Sequence, residues 1–100
     1  MEEVSADGTV EVDVLDEHGP GGAHHVYRIT LRDLDSALPI LTQSIIFQRG
    51  GILEAGVNGV SCEALLAIVS HRLQHFQAGV FPCPENQVAF DAVNEALQAL

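Results

Sequence analysis

The chain has 100 residues, 47% of them apolar, and carries a formal charge of −10 from fourteen acidic side chains against four basic ones. That is one domain with a modest core, and its surface repels long nucleic acids and anionic membranes. It still admits a small phosphorylated ligand, which needs only one arginine or a cluster of backbone N–H groups. Lysine is absent, so Arg28, Arg32, Arg49 and Arg72 are the cation candidates by elimination.

Seven of the fourteen acidic residues crowd positions 2–17, which reads as a solvated, partly frayed terminus or as an acidic arm that mimics a polyanion. Residues 9–15 alternate, with Val10, Val12 and Val14 opposite Glu11 and Asp13, the pattern of a half-buried strand. Gly19-Pro20-Gly21-Gly22 breaks the chain. Residues 24–32 alternate again, Tyr27, Ile29 and Leu31 against Arg28, Thr30 and Arg32. Residues 33–42 fit a loop or a short helical turn, residues 43–49 a third strand, and residues 52–55 a short fourth.

Asn58-Gly59 signals a turn. Ser61 then caps a helix with Glu63 in its first turn, Leu65, Leu66, Val69, Leu73 and Phe76 form its apolar stripe, and Gly79 ends it. Residues 80–83 make a short connection. Pro84 and Glu85 suit the start of a second helix, striped by Phe90, Val93, Leu97 and Leu100 beside a row of small residues, Ala89, Ala92, Ala96 and Ala99. Together these give an α+β fold: a small N-terminal antiparallel β-sheet followed by a C-terminal two-helix antiparallel hairpin. Small domains with thin cores often oligomerise. Cys62 and Cys83 form neither a secreted framework nor a CxxC pair. No leader is visible and the apolar runs are too short to span a bilayer, so a reduced, cytosolic protein is expected.

Catalytic signatures are missing. Ser61 has no base beside it in sequence, and the glycine-rich stretches lack the lysine and spacing of a phosphate loop. His71 and His75, four apart, share a helix face, but a metal site asks for a third and usually a fourth ligand. His24 and His25, adjacent on a strand, point to opposite faces. The expectation is therefore no catalytic residue, no metal and no cofactor. What remains is binding chemistry. The same short word occurs twice, Phe47-Gln48-Arg49-Gly50 and Phe76-Gln77-Ala78-Gly79. Each joins an aromatic face, an amide and a flexible backbone position, the parts that stack on a base and read its polar edge. Equally, a Phe before Gly is core followed by chain termination. In a hairpin, Phe76, Gln77 and Arg72 at the end of one helix neighbour Asn86 at the start of the next, so a ring, an amide and a guanidinium border one corner. Against this stands the reading in which Phe76 is core, Asn86 is solvated and Arg72 pairs with an acid.

One stretch has a family likeness. His25-Val26-Tyr27-Arg28-Ile29, Phe47-Gln48, Gly50, Ile52, Glu54, the run 56–60, the run 63–69, Arg72-Leu73, Phe76-Gln77-Ala78-Gly79 and Glu85-Asn86 together resemble the phage proteins that defeat the bacterial Thoeris system, the first type of Thoeris anti-defence protein. The resemblance covers residues 24–100. It implies a non-enzymatic sponge acting in the cytoplasm of the infected host. Such a sponge sequesters a cyclic ADP-ribose-type signal, assembles as a homodimer or higher homo-oligomer, and holds ligand between subunits. The family's aromatic and asparagine, ten positions apart, correspond to Phe76 and Asn86. A related hairpin serves sponges for cyclic oligonucleotides, a second ligand class. On this reading residues 1–23 are an acidic extension with a first strand, and residues 24–100 are the sponge-like domain, with its sheet to about 55 and its hairpin from about 61. The sequence departs from the pattern at Pro82 and Pro84 around Cys83 and at Gly51, and it stops at Leu100, before the family's arginine-containing turn and basic tail. The alternative function is an acidic protein-binding inhibitor or adaptor.

Overall fold

The alternating valines at 10, 12 and 14 do form a strand, and it is the second of four. In the computed structural model, which describes residues 2–80 and 82–100, the chain divides into two compact units, Met1–Val60 and Ser61–Leu100. The first unit is an antiparallel meander, β1 (Glu2–Ala6), β2 (Val10–Val14), β3 (Val26–Arg32) and β4 (Pro39–Ile46), in spatial order β1-β2-β3-β4. The acidic front of the chain is thus sheet, not a frayed terminus, because β1 pairs along β2 from Glu2↔Val14 to Ala6↔Glu11.

Register decides which residues share a face. Val14, Tyr27 and Ile45 lie in one cross-strand row, as do Val12, Ile29 and Gln43. The opposite face is ionic, with Asp13 beside Arg28 at 3.6 Å and Glu11 bonded to Arg32 at 3.2 Å. Asp13, expected on a solvated face, is buried together with Thr30, His25 and Val14. A carboxylate is tolerated there because an opposite charge sits directly across the ladder.

Each of the three hairpin connections is tied by an aspartate. The Asp7 carboxylate accepts the N–H groups of Thr9 and Val10. Asp16 accepts those of His25 at 2.9 Å and Val26 at 3.0 Å, and Asp33 accepts those of Asp35 and Ser36. The ionised form makes these bonds, so all three carboxyls are held below the usual aspartate value. At Asp7 the Val10 N–H is the main cause, and at Asp33 the Ser36 N–H. At Asp16 burial pushes the other way but is outweighed by Val26, His25 and the charge of His24.

Two segments depart from expectation. The last strand starts at Pro39, inside the stretch read as loop or helical turn, and ends at Ile46. It is an edge strand, where a proline at the first position costs no ladder bond. Residues 52–55, expected as strand, form one helical turn, α1 (Ile52–Ala55). The Gly51 carbonyl accepts from Glu54 and Ala55, and Leu, Glu and Ala favour helix. Phe47 makes one parallel bridge to Val60 and packs edge-on to Tyr27 at 5.8 Å. That bridge requires Gly59, since a Cβ there would run into the Phe47 backbone.

In the second unit, α2 (Cys62–Ala78) and α3 (Pro84–Ala99) form the hairpin. Bonds from Ser70 to Asn94 and from Gln77 to Gln87 make the helices antiparallel. The expected connection at 80–83 includes Phe81, which lies outside the described residues. Among the described residues no helix is long and apolar enough to cross a membrane.

Candidate functional site

The helical hairpin carries all four residues singled out for ligand binding. Its first helix starts where the Ser61 hydroxyl accepts the Ala64 N–H at 3.1 Å, an N-cap, with Glu63 in the first turn and His75 in the last, each at the favourable end of the dipole. Pro84 occupies the first turn of α3, and the Cys83 sulfur accepts the Asn86 N–H at 3.4 Å.

The seam between the helices runs through the half-buried Leu66, Ser70, Leu73 and Gln77 on α2 and Asn86, Phe90, Val93 and Leu97 on α3. Ser70 Oγ donates to Asn94 Oδ1 at 2.9 Å across it. No described side chain of either helix is fully buried. The pair therefore makes half of a core, and apolar side chains remain outside the seam: Ile68 is 66% exposed and Val69 42%.

Phe76 belongs to that outer surface. Phe76 is 41% exposed, so it is not sealed in a dry interior. At 3.6 residues per turn it sits roughly 90° from the seam. The Arg72 guanidinium lies over the ring, 4.9 Å from its centroid, a cation–π contact between residues one turn apart. Around them Ile68, His71 and His75 complete an open, largely apolar hollow. The other three arginines face carboxylates: Arg28 Asp13, Arg32 Glu11 and Arg49 Asp16. Among the described residues Arg72 has no carboxylate partner.

Gln77 lies elsewhere. Its carboxamide bonds both backbone groups of Cys83, donating to the carbonyl and accepting from the N–H, each at 2.9 Å. The first copy of the repeated word behaves alike. Gln48 donates to the Gly56 carbonyl at 2.7 Å and accepts from the Asn58 N–H at 3.0 Å, while Asn58 bonds both backbone groups of Arg49. In both words the amide closes a loop of its own chain. Sequence reasoning missed this, because an amide's partner is set by loop geometry and leaves no periodic signal.

Asn86 is half-buried at the start of α3, on the seam side. It is not among the residues lining the hollow at Phe76, all of which come from α2. Within one chain the structure brings together Phe76, Arg72, His71 and His75, and separately Gln77, Cys83 and the first turn of α3.

A small antiparallel meander followed by a helical hairpin defines the class, an α+β protein. Residues 41–100 match the family model of the Acb2/Tad1 hairpin domain, so the chain belongs to the Acb2/Tad1 hairpin family. It is also similar to Thoeris anti-defense 1 of Bacillus phage SBSphiJ7, at 38% identity over 93 residues, which covers 93% of this chain and 61% of that protein. The chain thus spans about three-fifths of the length of that relative.

Proposed function

We propose that this chain is a phage anti-defence protein that works by sequestration. It holds a cyclic nucleotide immune signal of the cyclic ADP-ribose type, in the cytoplasm of the infected host, without cleaving it. The single observation that carries the reading is Phe76: a solvent-accessible ring whose guanidinium neighbour has no carboxylate partner among the described residues. A base stacks on the ring, a contact that any base can make, and Arg72 swings from the ring toward the ligand's phosphates. Kinship with an anti-Thoeris protein supports the signal class.

In this account the binding unit is a homo-oligomer. Phe76 and Arg72 come from one copy and Asn86 from another, a reading supported by the lining of the hollow at Phe76, which does not include Asn86. The apolar side chains left outside the seam supply the contact surface. No bond is broken, so bound ligand is recovered intact when the protein is denatured. Thermal denaturation with a panel of cyclic ADP-ribose isomers and cyclic oligonucleotides tests the reading. A ligand at a hundred times its Kd adds about 2.7 kcal/mol to the folded state, whereas a panel without any shift rejects it.

A protein-binding adaptor using the acidic face is less favoured, since Glu11, Asp13 and Asp16 already face arginines. Removing residues 1–23 cannot separate the readings, because it takes away two of four strands. Reversing exposed charges, such as Glu17, leaves the sheet intact.

A further inference from the structure

The sequence places His71 and His75 on one face of α2, and the structure adds a distance. Their Nε2 atoms are 3.2 Å apart, with ring centroids at 4.4 Å and planes tilted by 56°. Both rings are exposed. We propose that His71 and His75 form a bidentate site for a borderline divalent transition metal, of the Zn²⁺, Ni²⁺ or Cu²⁺ class.

The spacing fits a chelate. With metal–nitrogen bonds of about 2.0–2.1 Å, two nitrogens 3.2 Å apart subtend about 100–105° at the metal, near the tetrahedral angle. Imidazole nitrogen suits these ions, whereas Mg²⁺ and Ca²⁺ prefer oxygen. Without metal, the two facing lone pairs are reconciled by one ring donating its Nε2–H to the other. Metal replaces that proton, which moves to Nδ1, so both rings adopt one tautomer. Among the described residues no third His, Cys, Asp or Glu joins the pair, so the remaining coordination positions go to water or to an anionic oxygen entering the adjoining hollow. Arg72, the nearest cation in sequence, is held over the Phe76 ring. Both imidazoles also line the hollow at Phe76, so the metal is tested with nucleotide absent.

The test is a Zn²⁺ titration of the full chain without nucleotide, read in long-range proton–nitrogen spectra of the imidazoles. The Nε2 resonances of His71 and His75 should shift together, with one metal bound per pair, and Ca²⁺ should leave them unchanged. Losing a ligand costs at least what losing an outer-shell partner does, so His75→Gln or His71→Gln should weaken binding by about tenfold or more, with far-UV circular dichroism intact. His24→Gln should leave it unaltered. Zn²⁺ shifts confined to His18, His24 and His25, wild-type affinity in His75→Gln, or no imidazole shift at all would overturn the assignment.

Discussion

Phe76 and Asp16 show how the two units assign different work to single residues. The Phe76 side chain is partly solvated, so Phe76→Ala should cost only about 1–2 kcal/mol of stability and keep the helical far-UV circular dichroism signal. Loss of one base–aromatic stack is worth about 1–3 kcal/mol, and the variant should bind ligand roughly ten- to a hundredfold more weakly by calorimetry. Ligand affinity unchanged in that variant would place the stack elsewhere. Asp16 is a structural residue whose effect is read against pH. Its folded-state value lies below the unfolded one, so the unfolded chain takes up protons first. Its contribution is complete above the unfolded value near pH 4 and is lost as pH falls through the lower, folded value. Asp7 and Asp33 act with the same sign. Asp16→Asn should lower stability at neutral pH and flatten its decline in acid, checked by urea denaturation at several pH values. An unchanged acid limb would remove Asp16 from the account.

At the scale of elements, the Gln77 clip explains how the hairpin turns. Gln77→Ala breaks two partly buried hydrogen bonds to Cys83. It should cost about 1–3 kcal/mol, seen as a lower midpoint in chemical denaturation, with faster amide exchange at Cys83. Protection at Cys83 equal to wild type would show that the clip does not hold the turn. Elements were legible from sequence where their causes are local: the Ser61 cap, the proline at the start of α3 and the valine alternation of β2 each announce themselves within a few residues. The start of β4 was not, because a proline looks like a break until the strand is known to be an edge. Nor was α1, since four residues are too few to show a period. The site was half legible. Phe76 and Leu73 share an apolar stripe on paper, yet the seam takes Leu73 and leaves Phe76 outside, a choice made by α3 and not by α2.

For the whole molecule, the exposed apolar surface of the hairpin is the quantity that matters. No described helix residue is fully buried, and Ile68, Val69, Val88 and Leu100 remain accessible. Association that buries them makes the melting temperature rise with protein concentration. Ile68→Asp should remove that dependence and reduce the mass seen by analytical ultracentrifugation, while far-UV circular dichroism keeps its helical signal. A concentration-independent melting temperature in the wild type would point to a monomer.

The central claim, capture without chemistry, is met most directly by native mass spectrometry of the full chain with a panel of cyclic ADP-ribose isomers, followed by release of whatever is bound. The account predicts an oligomer that gains the mass of intact ligand and returns the same molecule on denaturation. An oligomer that gains nothing from any isomer, or that returns a hydrolysed product, would contradict it.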